Sequence, residues 1–159
     1  MTKISGARLR PGDVLKVECG SKLGFLAYLG RHAHFGDAVL VLPELFTDAP
    51  RDLCSHFNDA GYFQFYPATT AARHKLATKV AFCAEAMRVL PVRWRNIINR
   101  NADGTVRSWL VCDGVGYEPR DHLSIEEHTL PIGEIINHEL LLQRLREGWT
   151  PSRYDASNV

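Results

Sequence analysis

Apolar and polar residues alternate along the first third of the chain, which is typical of β-strands with one buried face. After a Pro-Gly turn at residues 10–13, polar Lys16 and Glu18 alternate with apolar neighbours. Residues 23–29 and 38–42 form two further apolar runs, each preceded by a glycine-containing turn. The pattern predicts three short strands arranged as a curled antiparallel meander, of the kind that can form a small SH3-like barrel.

Two further strand signals lie in the middle of the chain. Residues 62–66 are rich in aromatic side chains, which favour strands. The dipeptide Asp103-Gly104 is the strongest hairpin-turn signal in the sequence. It predicts a hairpin between a strand near residues 95–99 and a strand at residues 106–112.

One helix is defined by the residues at its ends. Asn137 is a suitable N-cap, and Gly148 suits the left-handed position after the C-terminus, so we expect a helix over His138–Glu147. Its apolar stripe consists of Leu141, Leu142 and Leu145. Residues 76–87, by contrast, fit both a helical stripe and one face of a strand, and periodicity leaves their structure open.

Length and composition favour one soluble globular domain. The chain has 159 residues and a formal net charge of +1, which excludes a generally basic nucleic-acid-binding protein and an acidic solvating tail. We expect a single α+β domain over residues 1–159, with a loosely ordered tail at about residues 151–159. Its architecture would be a mostly antiparallel β meander or small SH3-like barrel, with a β-hairpin extension and a C-terminal helix.

The sequence also carries information on cellular compartment. Residues 1–20 lack the apolar run of a signal peptide, and the longest apolar run, residues 39–42, is far shorter than the about 20 residues that span a bilayer. The cysteines are Cys19, Cys54, Cys83 and Cys112. Their wide spacing matches neither a short disulfide framework nor a paired zinc site. We therefore expect a cytoplasmic protein with reduced, buried cysteines and no membrane partner.

Two small groups of residues are candidates for catalytic or metal chemistry. His32 and His34 have the i, i+2 spacing that places two imidazoles on one side of a strand, although a third metal ligand would have to come from elsewhere. Cys54, near His56, could act as a nucleophile if a histidine and an orienting group lay within hydrogen-bond reach. Neither group forms a complete catalytic motif, so we expect no catalytic residues and no cofactor.

Charge is segregated along the second half of the chain. Residues 88–107 carry five arginines against one aspartate, and residues 113–139 carry seven carboxylates against one arginine. Within the basic block, Arg93, Trp94 and Arg95 could bind single-stranded nucleic acid by charge and stacking, or anchor a protein interface. We favour an arrangement in which the two blocks face each other and solvent, with Trp94 buried under the hairpin. The acidic residues would then attract a basic partner.

Two parts of the chain carry a distinctive combination of features. A Gly-Asp pair at residues 10–17 opens an alternating strand, which is followed by an aromatic strand at residues 24–29 and an apolar strand at residues 37–42. Residues 92–98 form a later segment that contains a tryptophan. With these features the chain resembles immunity protein 26, a family of bacterial polymorphic-toxin systems. The resemblance implies a cytoplasmic, β-rich protein that binds and neutralises a cognate toxin without catalysis, and it favours a strand at residues 79–84.

Three function classes follow from these observations. The favoured one is a non-enzymatic protein-binding module, monomeric or dimeric, whose partner is a cognate protein such as a toxin. Its expected partner-binding residues are Arg93, Trp94, Arg95, Asp121, Glu126 and Glu127. The second is a small metal- or cysteine-dependent hydrolase that uses His32 and His34, or Cys54. The third, a nucleic-acid-binding barrel domain, ranks last.

Overall fold

The computed structural model describes residues 8–155, which form antiparallel sheets and short helices. The strands are β1 (Asp13–Cys19), β2 (Lys22–His32), β3 (Gly36–Val41), β4 (Tyr62–Phe65), β5 (Thr78–Phe82), β6 (Trp94–Arg100), β7 (Val106–Cys112) and β8 (Tyr117–Arg120). The α-helices are α1 (Ala68–Arg73), α2 (His138–Glu147) and α3 (Ser152–Asp155). Short 3-10 helices lie at Leu53–Phe57, Ala84–Ala86 and Glu127–Thr129. The expected α+β class with mostly antiparallel strands is confirmed. Within residues 8–155, no helix has the length and apolar character needed to cross a bilayer.

The larger sheet has five antiparallel strands in the order β4-β3-β2-β1-β5. Strands β1 to β3 form the expected meander, β4 extends it beside β3, and β5 returns to pair with the outer edge of β1. Residues 76–87 therefore contain a strand at Thr78–Phe82, which overlaps the strand that the resemblance favoured at residues 79–84, and a 3-10 helix that begins at Ala84. In the described part of the chain β4 and β5 are not paired with each other, so the sheet stays open.

The smaller sheet has the order β6-β7-β8 and contains the predicted hairpin. Its turn has the expected chemistry, because Gly104 adopts a φ of 87° and the Asp103 carboxylate accepts a hydrogen bond from the Thr105 amide at 3.0 Å. The sequence patterns did not indicate β8. This strand contains Pro119, which lacks an amide donor and is tolerated here because β8 is an edge strand.

Helix α2 has the predicted bounds and caps. The Asn137 side chain accepts a hydrogen bond from the Leu140 amide at 2.8 Å, and Gly148 is left-handed with a φ of 61°. Leu141 and Leu145 are buried in the core beside β1 and β2, whereas Leu142 is only partly buried. The helix therefore covers one face of the larger sheet.

Residues 131–136 join the two sheets. The Arg95 amide donates to the Pro131 carbonyl at 2.9 Å, and the Gly133 amide donates to the Arg95 carbonyl at 3.1 Å. At the other end of the segment the Ile136 amide donates to the Phe65 carbonyl of β4 at 3.0 Å. These backbone bonds hold β6 against the larger sheet.

The C-terminal part of the described chain contains a short helix that contacts the smaller sheet. Helix α3 packs on the smaller sheet, where the Tyr154 hydroxyl accepts a hydrogen bond from the Ile97 amide at 3.0 Å and Asp155 pairs with Arg95. The loosely ordered tail expected at about residues 151–159 stays a prediction, although the low apolar content of this segment did not indicate the polar contacts of Tyr154 and Asp155. Residues 156–159 lie outside the described part of the chain.

Cys54 and Cys83 form a disulfide that links the 3-10 helices at Leu53–Phe57 and Ala84–Ala86. Cys19 and Cys112 are free and buried. The expectation of four reduced cysteines is wrong for the bonded pair. The two cysteines are 29 residues apart in sequence, and their Cα atoms are 5.1 Å apart in space. The spacing in sequence could not reveal this proximity.

Candidate functional site

The basic and acidic blocks meet at Arg93, just before β6. Its guanidinium lies 3.6 Å from a Glu126 carboxylate oxygen and 3.7 Å from a Glu127 carboxylate oxygen. The Arg93 side chain remains partly exposed, and Glu126 is largely exposed. The expected arrangement, in which the two blocks face each other and solvent, is therefore confirmed at this point.

Glu127 anchors the acidic side of this cluster. Its carboxylate accepts a hydrogen bond from the Ser124 amide at 3.0 Å, and the Arg120 guanidinium donates to it at 3.4 Å. The Ser124 hydroxyl in turn accepts from the Glu127 amide at 3.1 Å. The Ser124 amide, followed by the charges of Arg120 and Arg93, lowers the pKa of Glu127. Glu127 is therefore held as a buried anion that orders the loop beneath the exposed Glu126.

The turn between β7 and β8 forms the other side of the cluster. The Asp113 carboxylate accepts hydrogen bonds from the Gly116 amide at 2.7 Å and the Val115 amide at 2.9 Å. These two bonds, with a smaller contribution from the positive charge of Arg93, lower the pKa of Asp113. A β-carbon at Gly114 would lie 3.2 Å from the Val92 carbonyl oxygen, so the turn lies directly against the residue that precedes Arg93.

Three aliphatic side chains around this cluster are exposed to solvent. Val92, Val115 and Ile125 are 71%, 90% and 91% exposed, respectively. Val92 precedes Arg93 in the chain, and Ile125 precedes Glu126, which pairs with Arg93. The Val115 amide donates to the Asp113 carboxylate, whose pKa the charge of Arg93 helps to lower. The Arg93 surface is defined here as Val92, Arg93, Asp113, Val115, Ile125 and Glu126. It combines apolar groups with a partly exposed ion-pair cluster.

Trp94 and Arg95 lie beneath this surface rather than on it. Trp94 is 0% exposed, and its ring centroid lies 4.7 Å from that of Phe63 and 4.4 Å from that of Phe65. Arg95 is also buried, and its Nε donates to the Leu130 carbonyl at 2.9 Å. Stacking of a nucleic-acid base on Trp94 is therefore excluded in this fold, because its ring faces are covered by protein.

The six expected partner-binding residues thus separate into two sets. Arg93, Asp121 and Glu126 are at least partly exposed and remain available to a partner. The buried set consists of Trp94, Arg95 and Glu127. The sequence missed Val92, Val115 and Ile125. The sequence did contain a signal for their exposure, because each is a single aliphatic residue within or beside a charged, loop-forming segment.

His32 ends strand β2 and His34 lies in the turn that follows, with the two ring centroids 5.8 Å apart. The His32 Nδ1 accepts hydrogen bonds from the backbone amides of His34 at 3.1 Å and Phe35 at 3.3 Å, so this nitrogen is already engaged. Burial, and then the neighbouring His34, lowers the pKa of His32. Within residues 8–155, neither histidine belongs to a group of three side chains that could hold a metal ion.

Cys54 is unavailable as a nucleophile while it is bonded to Cys83, because the nucleophile in cysteine chemistry is a free thiolate. The Sγ atoms of this pair and a carboxylate oxygen of Glu85 lie within 4.8 Å of one another. Metal binding at such a group requires thiolates, so it would require reduction of the disulfide. Comparison of the chain with protein-family models, curated proteins and solved structures gives no match.

Proposed function

We propose that this chain is a non-enzymatic protein-binding module, an immunity-like protein that binds a cognate toxin through the Arg93 surface. The observation that carries the proposal is the exposure of Val92, Val115 and Ile125 around the Arg93 ion pairs. Apolar groups collected beside charged residues are typical of protein-interaction sites, where the apolar centre is desolvated and the polar rim stays wet. Arg93 itself is of the residue type that is enriched among interface hot spots.

The charge of this region indicates the character of the partner. Residues 113–127 carry five carboxylates and one arginine, and four of these carboxylates belong to exposed residues, namely Asp113, Glu118, Asp121 and Glu126. An acidic surface accelerates the approach of a basic partner and disfavours an acidic one. The partner that we propose is therefore a toxin domain with a basic surface.

The positions of the segments that resemble immunity protein 26 support this proposal. The similar segments form strands β1, β2, β3 and β6, so they contribute to both sheets. The return of β5 to the outer edge of β1 is the connectivity that a small SH3-like barrel uses, and we assign the larger sheet to that type of architecture in an open form. We also propose a cytoplasmic location, in which the Cys54–Cys83 disulfide would face the reducing thiols of that compartment.

Co-expression tests this proposal. Toxin domains encoded in the source genome would be expressed in a bacterial host with and without the chain, and the purified pair would be examined for a stable 1:1 complex. We expect the chain to neutralise one toxin domain by binding it stoichiometrically. We also expect that the purified chain alone does not modify the toxin's substrate. The proposal would be contradicted if the chain bound and neutralised none of these domains.

Surface variants test the location of the interface. Ile125→Asp and Glu126→Lys are expected to weaken toxin binding while leaving thermal stability close to that of the wild type, because both residues are exposed. Val89→Asp is the matched control, since Val89 is 93% exposed and is not part of the Arg93 surface. Equal loss of binding in the control, or full binding in both surface variants, would place the interface elsewhere.

A further inference from the structure

A cavity of about 580 Å³ lies between α1 and β5 and shares no residue with the Arg93 surface. Its floor includes the apolar side chains of Leu9, Ala72 and Ala77. Four cationic residues also line the cavity, namely Arg8, Arg73, Lys75 and Lys79. The volume is within the range of small-molecule binding sites, about 300–1,000 Å³.

The positive charge around the cavity is largely uncompensated. Among residues 8–155, no carboxylate lines the cavity, and Arg8, Arg73 and Lys75 take part in no ion pair. Lys79 is the exception, because its Nζ lies 3.0 Å from a carboxylate oxygen of the buried Asp13. Three cations beside an apolar floor create a positive potential in a concave site, which attracts anions.

Lys75 occupies a backbone conformation that disfavours any residue with a side chain. Its φ is 60°, and it is the only non-glycine residue with a positive φ in the described part of the chain. It follows α1 at the position where the Leu76 amide donates to the Ala71 carbonyl at 2.9 Å, an arrangement that usually selects glycine. A lysine in this place keeps an unfavourable conformation and adds a cation to the cavity, a combination that indicates function rather than stability.

We propose that this cavity binds an organic anion that carries a carboxylate or phosphate head group on an apolar body. Arg8, Arg73 and Lys75 would hold the head group by charge-assisted hydrogen bonds, and the apolar floor would contact the body. The inference is independent of the proposed function, because it rests on a different set of residues. Such a ligand could be a small soluble metabolite or the head of an anionic lipid, since both present the same chemistry.

Calorimetric titration with three related compounds tests the ligand class. Octyl phosphate combines both features, inorganic phosphate carries only the charge, and 1-octanol carries only the apolar body. We expect saturable binding of octyl phosphate at least about tenfold tighter than that of inorganic phosphate, with no saturable binding of 1-octanol. No binding of octyl phosphate, or equal affinity for inorganic phosphate, would overturn the proposal.

The variant Lys75→Gly separates ligand binding from folding. Glycine relieves the left-handed conformation, so the thermal midpoint is expected to stay equal or rise, while octyl phosphate affinity falls by about tenfold through the loss of one charged contact. Lys22→Ala is the control, because Lys22 is an exposed lysine outside the cavity. Unchanged affinity in Lys75→Gly, or an equal loss in Lys22→Ala, would contradict the assignment.

Vesicle sedimentation distinguishes the two ligand sources. Phosphatidylcholine vesicles with and without phosphatidic acid would be mixed with the wild type and with Lys75→Gly. Sedimentation of the wild type that requires phosphatidic acid, and that Lys75→Gly reduces, would identify a lipid head group. Octyl phosphate binding without sedimentation would identify a soluble anion. Sedimentation that Lys75→Gly leaves unchanged would contradict a role for the cavity.

Discussion

Gly24 on β2 lies directly against Leu145 on α2. A β-carbon at position 24 would come within 2.8 Å of the Leu145 Cδ1 and within 3.0 Å of the Val17 Cγ2. Both distances are shorter than ordinary van der Waals contact, so a side chain at Gly24 would force the helix or the strand to move. The missing side chain thus sets how closely α2 approaches the larger sheet.

Leu145→Ala is expected to lower the free energy of unfolding by about 2–5 kcal/mol, because Leu145 is buried and its truncation leaves a cavity under α2. Urea denaturation followed by circular dichroism measures the change. Arg146→Ala is a matched control on the same helix, at an exposed position, where we expect a change within about 0.5 kcal/mol. Wild-type stability in Leu145→Ala would show that α2 does not close the core.

Gly24→Ala is expected to lower the free energy of unfolding by about 1–3 kcal/mol through overpacking. The double variant with Leu145→Ala should be more stable than the sum of the two single losses predicts, because removal of the Leu145 Cδ1 makes room for the new methyl group. A double-mutant cycle in urea measures this coupling. Strict additivity would contradict direct contact between the two positions.

Trp94→Ala is expected to cost about 3–5 kcal/mol, because the ring fills the space between β6 and the aromatic residues of β4. Trp94→Phe should cost clearly less. The indole Nε1 has no hydrogen-bond partner within the described residues, so phenylalanine loses part of the packing but no bond. Equal losses in the two variants, measured by urea denaturation, would contradict this account.

Much of the fold could be predicted because its signals are local. Asn137 and Gly148 are adjacent to the helix they terminate, and Asp103 and Gly104 form the turn that joins β6 to β7. Residues 76–87 were ambiguous because their pattern fits two periods. Pairing with β1, which lies far away in sequence, determines that Thr78–Phe82 is a strand.

The candidate site could be predicted only in part. Opposite charge in two blocks correctly indicated that they meet, and Arg93 pairs with Glu126 and Glu127. Burial could not be inferred, because a tryptophan between two arginines has the same sequence whether it is exposed or covered. The pairing of Cys54 with Cys83 likewise depends on the three-dimensional path of the chain.

Reduction of the disulfide is expected to lower the free energy of unfolding by about 2–4 kcal/mol, because the bond closes a loop between residues 29 positions apart. Denaturation with and without dithiothreitol measures the loss, and the variant Cys54→Ser with Cys83→Ser should match the reduced protein. Thiol titration of protein purified in air and then denatured should detect two free thiols, from Cys19 and Cys112. Four thiols would contradict the bond.

His138 makes stability depend on pH. Its Nδ1 lies 2.8 Å from the Tyr66 hydroxyl, and burial lowers its pKa, an effect that the charge of Glu139 partly opposes. Burial also raises the pKa of Tyr66, so the phenol stays protonated. Because the unfolded chain takes up the His138 proton more readily, stability is full above the ordinary pKa of 6.5 and falls as pH decreases below it.

A comparison with His138→Gln isolates this contribution. The pKa values of His32 and His138 are both lowered, so both residues make stability fall as pH decreases. The difference in stability between wild type and variant gives the contribution of His138 alone. Urea denaturation between about pH 7.5 and about pH 5 should show a shallower loss of stability in His138→Gln. Identical pH dependence in the two proteins would contradict a role for His138.

The pairing of β5 with β1 also determines when the protein can fold during its synthesis. Strand β1 is synthesised before its outer neighbour β5, which ends at Phe82. Until then the nascent meander exposes the backbone donors and acceptors of β1, which are able to pair with another chain. The larger sheet can therefore be completed only once β5 has been synthesised, and the strands of the second sheet follow β5 in the chain.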